Sequence, residues 1–479
     1  MAIDPSEKEF FFSRISQPVY DGASTHYRIG QNGLLNGPPD KLAAAELNNL
    51  RARSHHAVRN NGWGMAAFKQ YKVNLGAVSV LWKNEKGKTN KKMQKWWDEF
   101  AEHPCIDNYG DLCNMQDVWN AGMFTSGEIF TRMRIKARKD ITVPLVLELI
   151  EAEYLDPNYN DQNKNIRNGI QFDGPTPVKY WFNKNLPSAI TLPSSERVGI
   201  DAEDVIHLFK RLRAGQWRGV PELAPILLAL YELDELTDAT VNKQKAAQAI
   251  SWIITNTNPS SAFAIGTVED ADTFDEDGQP AVRKISQTGS STVQYLNKGE
   301  QATFHEGNGI GDNFDELIKL ELGKIAMSSD LHPTILTGDL GQISFSALKY
   351  VISEMRKKAE AIHHLYIINL GLKPLCARFK ELAMLRGSRT MEAVTPYFQL
   401  PKLIDIDGLS TAQQDHLEVE AGLNTLENVL AAKNLTMEQV SEDIKKRESL
   451  GIELTPTTSE SNPTGQIKNN KPNTNTTGA

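Results

Sequence analysis

Hydrophobic spacing changes period several times along the chain, and each change predicts a different kind of element. Through 46–72 the apolar positions recur mostly at helical intervals, ending in "GWGMAAFKQYK". "EIFTRMRI" (128–135) alternates instead, with Ile129, Met133 and Ile135 on one side and Arg132 and Arg134 on the other, the period of a half-buried strand. "PLVLELIEAE" and "VKYWF" add strands, so the first 210 residues read as a mixed α/β region. A helical pattern then runs from 221 to about 256, with Pro221 at the first helical position, where a missing N–H does no harm. Its second half, "DATVNKQKAAQAISWI", is alanine-rich and suits close helix neighbours.

Residues 257–311 are irregular, with strand-like pieces around the acidic run "EDADTFDED". Over 313–329 a helix is predicted: Phe314, Leu317, Ile318, Leu322 and Ile325 form its stripe, and Asn313 and Glu316 are spaced as a capping box. Pro333, Gly338 and Gly341 break it in "HPTILTGDLGQIS". A long helix resumes at 345 and continues past Gly371 and Pro374 towards 385, and two shorter amphipathic helices lie between 411 and 450. The polar, Gly/Pro/Asn-rich residues 1–45 read as a loosely ordered arm; the last 25 residues hold almost nothing apolar and read as disordered.

Composition narrows the classes. A chain of 479 residues suggests about two to four domains. The net charge of −8 argues against a sequence-specific DNA binder, which carries a concentrated basic face, but not against a protein that DNA merely passes through. Six lysines against one glutamate between 83 and 95 read as a solvated surface. Cys105, Cys113 and Cys376 make neither a disulfide framework nor a zinc pattern, so a reducing compartment is the default. No signal-peptide pattern opens the chain, and no apolar run approaches the ~18 residues of a membrane span.

Catalytic patterns are missing. Gly87-Lys88-Thr89 ends like a phosphate loop, but Trp82 stands where its first glycine belongs. "GNGIG" (307–311) meets Asp312 in place of the last glycine of a dinucleotide fingerprint, and no G-x-S-x-G elbow occurs. The pairs His55-His56 and His363-His364 point about 100° apart on a helix and do not chelate one ion. His207 in "DVIHLF" reads as a hydrogen-bonded core histidine. Asp405 and Asp407, with Asp415 and His416, leave open a metal-dependent nucleic-acid enzyme, although aspartates beside a Gly-Leu-Ser turn more often cap and turn.

Several stretches carry a family resemblance: "RNNGWGMAAFKQYKVNLGA", "WWDEFAEHPCIDNYGDL", "SGEIFTR", "DAEDVIHLFKRLRAGQWRGVPELAP", "GDLGQISFSALKYVISEMR" and "DIDGLSTAQQDHLEVEAGLNTLENVLAAKNLTMEQV". In this order, over nearly all of 45–450, the chain resembles the lambda-type portal proteins of tailed bacteriophages. Two departures stand out. Ser344-Phe345-Ser346-Ala347-Leu348-Lys349 replaces the family's Asn-Tyr-Ser-Ser-x-Arg, and no Asp-Pro follows Asp407. Lysine is a point charge where arginine is a planar fork, so a contact made by that arginine need not carry over.

The resemblance implies an α+β portal fold assembled as a ring and divided as follows: a flexible arm (1–45), an α/β wing (46–231), a stem helix (232–256), a clip (257–312), a second stem helix (313–330), a tunnel loop (331–344), a long helix (345–386), a wing return with crown helices (387–454) and a disordered tail (455–479). It implies a non-enzymatic, cofactor-free ring, usually dodecameric, at one capsid vertex of the virion, assembled in the host cytoplasm. Double-stranded DNA would pass through it non-specifically, with no membrane involved. Partners would be the terminase large subunit, a head-completion adaptor, and the major capsid and scaffolding proteins. Gly338, Asp339, Gly341, Gln342 and Lys349 would face DNA at the tunnel loop, and Glu269, Asp270, Asp272, Asp275, Glu276 and Asp277 would serve docking at the clip. Arg213, Gln216, Trp217, Arg218 and Gly219 would form the wing–stem junction. There Gly215 and Gly219 permit a tight turn, Trp217 plugs the joint, and the two arginines bind helix-end carbonyls or a neighbour's carboxylates. DNA contact by Arg213 and Arg218 is the alternative.

Overall fold

The computed structural model describes residues 38–184, 196–249, 253–256, 285–288, 291–294, 300–303, 314–341, 343–387, 392–401, 408–426, 429–430, 433, 435 and 437–450. The chain forms two units, 1–401 and 402–479. In the first, helix α1 (Pro39–Asn60) begins directly behind Pro38, so ordered structure reaches seven residues into the predicted arm. A proline in the first turn presets the backbone there. Asp40 then fastens it by accepting the Trp217 and Arg218 N–H groups at 2.8 and 3.2 Å. The single helical stretch predicted over 46–72 is two helices. Asn61 turns extended, ends α1 and caps α2 (Gly62–Leu75) through the Gly64 N–H at 2.7 Å.

Strand β1 (Ser79–Lys83) leads to α3 (Lys91–Glu102) and then α4 (Leu112–Thr125), which opens with a reciprocal Asp111/Asn114 capping box. β2 (Glu128–Ile135) pairs antiparallel with β3 (Leu145–Glu151). β4 (Ile166–Arg167), β5 (Ile170–Asp173), β6 (Thr176–Asn183) and β7 (Arg197–Asp201) form a four-stranded antiparallel meander, and β8 (Val205–Phe209) returns to the free edge of β2, giving the order β3-β2-β8. β2 is therefore central. Its first four residues are buried on both faces and only its end is exposed, Ile135 at 61%. The predicted alternation holds for Ile129 and Met133 against Arg132 and Arg134, but Phe130 is buried on the opposite face against Tyr180 and Phe182, and Ile135 is left exposed at the strand's end.

Pro221 does not open the next helix; a 3-10 turn (Ala224–Ile226) precedes α5 (Leu227–Ala249). The helical reading to 256 also overshoots. Ile253–Asn256 is a strand, β9, as its β-branched Ile-Ile-Thr run favours. β10 (Ile285–Thr288) pairs with β11 (Ser291–Gln294), and β12 (Glu300–Thr303) with β9, in keeping with the strand-like pieces expected here. In α6 (Phe314–Ser328) Leu322 and Ile325 of the predicted stripe are buried, whereas Leu317 stays 43% exposed; Asn313 of the predicted capping box lies outside the described residues.

A one-turn helix, α7 (Pro333–Thr337), interrupts the chain before α8 (Phe345–Ile362). α8 runs through a π-helical segment (His363–Leu372) into α9 (Lys373–Gly387), the continuous helix predicted past Gly371 and Pro374. Proline lacks an N–H and crowds the carbonyl four residues back. The wider turns just before it, in which the Lys373 N–H reaches Ile368 O, let the helix pass. β13 (Thr395–Gln399) then returns to pair with β1.

Among the described residues three apolar clusters form. One gathers Trp82, Trp97, Phe100, Trp119 and Phe379 with the sheet, the π segment and α9. A second joins α2, α5, α6 and α8 through Tyr71, Leu230, Ile325 and Met355, and a third, around Phe130, Tyr180 and Phe182, joins the two sheets. In the second unit α10 (Gly408–Glu420) and α11 (Met437–Ser449) match the two predicted helices, and Lys433 pairs with Asp415 at 2.7 Å. No helix among the described residues is long and apolar enough to cross a membrane.

His363 sits where α8 becomes π-helical, 2% exposed, with no partner for Nε2. Burial and the neighbouring His364 push its pKa down to about 4, against a hydrogen bond to the Leu75 backbone. The unfolded chain protonates it near pH 6.5. The stability tied to neutral His363 is thus complete above pH 6.5 and is lost as pH falls from 6.5 through 4, by up to about 3 kcal/mol. Urea denaturation at pH 7, 5.5 and 4 should show this slope in the wild type and a flatter one in His363→Gln; equal slopes would refute it.

Candidate functional site

β2 opens with Glu128, which is 0% exposed. A carboxylate without water needs positive charge and donors on both oxygens. Oε1 accepts from Arg51 Nη2 of α1 and from Arg218 Nε and Nη2 at 2.8 and 2.7 Å. Oε2 accepts the Gly219 N–H at 2.7 Å and faces His207 Nε2 at 3.1 Å. The remaining guanidinium N–H groups go to carbonyls. Arg218 reaches Leu155 and Asn168, both at 2.8 Å, and Arg51 reaches Ser126 at 3.0 Å and Ala152 at 3.3 Å.

Burial alone would raise the Glu128 pKa, but Arg218 and Arg51 outweigh it and hold the carboxyl well below the usual range. For His207 burial dominates and lowers the pKa, with Glu128 opposing. A neutral ring whose Nε2–H donates to Glu128 and whose Nδ1 accepts from Tyr180, 3.4 Å away, satisfies every partner. The ring is stacked between Phe130 and Phe209 at 4.3 Å from each. His207 is the hydrogen-bonded core histidine the sequence suggests.

The predicted junction residues divide. Arg218 does bind a helix-end carbonyl, Leu155 closing the 3-10 turn Ala152–Tyr154, and a carboxylate, but both belong to its own chain. At 1% exposure it has no access to DNA, which removes it from that alternative. Arg213 is exposed. Gln216 is buried and braces the loop, accepting from the Leu212 and Arg213 N–H groups at 2.9 and 3.2 Å and donating to Arg218 O at 2.8 Å. Trp217 packs edge-on to Phe172 and under Arg211. Gly215 takes the left-handed conformation of a turn, φ +79°, but Gly219 does not: a Cβ there would stand 2.1 Å from Gly127 O. Its role is close backbone approach rather than a tight turn.

Sequence reading missed Arg51, Glu128 and Lys210. The signal was an acid heading a strand whose next two residues, Ile129 and Phe130, are apolar. Lys210, which follows β8, pairs with Glu222 at 3.0 Å and Asp330 at 3.1 Å. Burial pulls its pKa down, but Tyr71 and these carboxylates outweigh that and keep it charged. This ties the end of β8 to the turns flanking α5 and α6.

A cleft of about 570 Å³ beside Arg51 holds His55 and Glu153. His55 Nε2 contacts both Ser126 Oγ (3.0 Å) and Glu153 Oε1 (3.2 Å). A nucleophile relay needs serine and acid on opposite ring nitrogens, so this is a hydrogen-bonded triangle without relay geometry. In the helix-break loop Gly338 is a left-handed cap, φ +71°, its N–H bonded to Thr334 O. Asp339 Oδ1 accepts the Gly341 N–H at 3.0 Å. Lys349 is exposed near the start of α8, which Ser344 caps. Gln342, the six predicted clip carboxylates and the pair Asp405/Asp407 lie outside the described residues.

The family described as phage portal protein, lambda family, matches residues 30–363. The chain belongs to the lambda family of phage portal proteins. It is also similar to the neck of an empty gene transfer agent particle (14% identity, 88% of this chain and 96% of that one, TM-score 0.42). A second similar structure is an HK97 family phage portal protein from Corynebacterium diphtheriae (10% identity, 73% and 95% covered, TM-score 0.32). No curated protein matches. Within this portal protein the match spans the whole Glu128 cluster, from Arg51 to Gly219.

Removing one partner of a buried ion pair leaves the other uncompensated. Glu128→Ala should therefore cost about 3–5 kcal/mol in chemical denaturation. Arg213→Ala, at an exposed position, should stay within about 0.5 kcal/mol. Comparable losses from both would deny the cluster its special place.

Proposed function

We propose that this portal protein assembles as a ring, a dodecamer, at one vertex of the capsid and serves there as the conduit for double-stranded DNA in packaging and ejection. Membership of the family, over 334 of 479 residues, is the observation that carries the reading. In this assignment the sheets and the β1–β13 return form the wing, and α5 and α6 the stem. The segment with β9 to β12 is the clip, 331–344 the tunnel loop with α8 behind it, and α10 and α11 belong to the crown. The ring is structural; the terminase supplies the motor. Terminase and later the head-completion adaptor dock on the clip through Glu269, Asp270, Asp272, Asp275, Glu276 and Asp277, and capsid and scaffolding proteins meet the outer face.

A translocation channel must not grip its cargo. Proteins that neutralise phosphates release counterions, and roughly 6–10 such contacts shift affinity by about 10³–10⁵ across moderate salt. A lysine in each tunnel loop, repeated around a ring, would approach that regime. The described part of 335–343, within this loop, carries Asp339 and no base, and Leu340 there is 55% exposed.

Negative-stain images of the purified protein should show holed rings; compact monomers would refute the assembly. Asp339→Lys should still form rings but slow packaging in intact heads, more at low salt. Asp339→Asn keeps the acceptor for the Gly341 N–H and should be nearly silent. Wild-type packaging by Asp339→Lys at low salt would end the slippery-loop idea.

A further inference from the structure

The turn after β1 and the first turns of α3 form a surface that neither the cores nor the conduit uses. Lys86, Lys88, Lys91, Lys92 and Lys95 are all exposed; Glu85 is the one acid within 84–95, and Asp98, Glu99 and Glu102 line the same shallow cleft as Lys91 and Lys95 without pairing with them. None of the five has a carboxylate partner among the described residues. The helix charges are also inverted. α3 starts with Lys91, Lys92 and Lys95 and ends with Asp98, Glu99 and Glu102, whereas the backbone dipole favours acids first and bases last. Two of the acids are engaged, Asp98 by Gln94 at 2.8 Å and Glu99 by Thr142 at 2.6 Å. The lysines therefore face mutual repulsion and an unfavourable dipole that an external anion would relieve.

Their base is rigid. Met93, Trp97 and Phe100 bury one face of α3 against Trp82 and Phe379. The turn is closed by bonds from Asn84 N to Lys88 O and from Asn90 N to Trp82 O, both 2.8 Å.

We propose that the lysine ridge of 86–95 binds the phosphate backbone of duplex DNA. Lysines are point charges that position phosphates without reading bases. A protein partner would need an aromatic or aliphatic anchor, and no large apolar side chain between Val73 and Ile106 is among the exposed ones. The choice of duplex DNA rests on the portal reading; the electrostatic argument does not.

Anisotropy of a labelled duplex titrated with the full chain, from about 50 to about 200 mM salt, reads affinity and salt slope together. Combined Lys88→Gln, Lys91→Gln and Lys95→Gln should flatten the slope by about 2.7, roughly 0.9 per lost phosphate contact, and weaken low-salt binding at least about tenfold. Lys136→Gln with Lys139→Gln, also exposed, should change neither. Wild-type slope and affinity in a folded triple variant would overturn the proposal. So would labelled polyglutamate binding the ridge as tightly as duplex of equal charge, which would assign it to an acidic protein. Micrographs of the same samples separate the two readings: lysine-dependent binding without rings fails the conduit alone, and rings whose DNA binding ignores these lysines fail the ridge alone.

Discussion

A carboxylate with no water around it is the constraint on which the first unit turns. Glu128 needs both arginines, a histidine N–H and a backbone N–H in one place. Those donors come from α1, from β8 and from the segment after it, nearly 80 to 90 residues away along the chain. Burying three ions costs several kcal/mol each before their attraction repays any of it. The cluster therefore acts mainly against alternatives: a slipped β2 register or a displaced 216–219 loop leaves an unpaired charge inside.

From that cluster the chain passes to the helices with little freedom. Gly219 lies against Gly127 so closely that no side chain fits, and Lys210 ties β8 to Glu222 and Asp330 on either side of the α5–α6 pair. The long helix spans two of the apolar clusters: α8 fills the one with α2, α5 and α6, and the π segment with α9 fills the one under the sheet. The π turns lie at the change of allegiance, where Pro374 also forbids regular α-helix. The loop between α7 and α8 is held by short turns and the Asp339 carboxylate.

The two basic and acidic features of this fold answer different demands. Arg51 and Arg218 are spent inside, each bonded to Glu128 and to carbonyls. The lysines of 86–95 are left outside with no carboxylate partner among the described residues, Lys92 alone resting over the Trp96 ring. In a protein of net charge −8, that contrast between inner arginine and outer lysine separates scaffolding from surface chemistry.

Local features were legible in the residues themselves. The strands at 128–135 and 145–151, the break at Pro333 and Gly338, the helix through Gly371 and the paired helices after 408 follow from period, breakers and caps, which act within a few residues. The core role of His207 was legible too, since an imidazole in "VIHLF" has to find a partner inside. The helical reading to 256 failed because alanine-rich spacing outvoted the Ile-Ile-Thr run, whose strand needs a mate almost 50 residues on. The start of α1 was hidden for the same reason: Asp40 is held by N–H groups at 217 and 218. Arg218 looked like a surface contact because burial is not written in a residue type. Only the tertiary structure, by placing β2 at the centre of its sheet, decided that the arginine faces inward, since charge pairing across such distances depends on where the backbone has already gone.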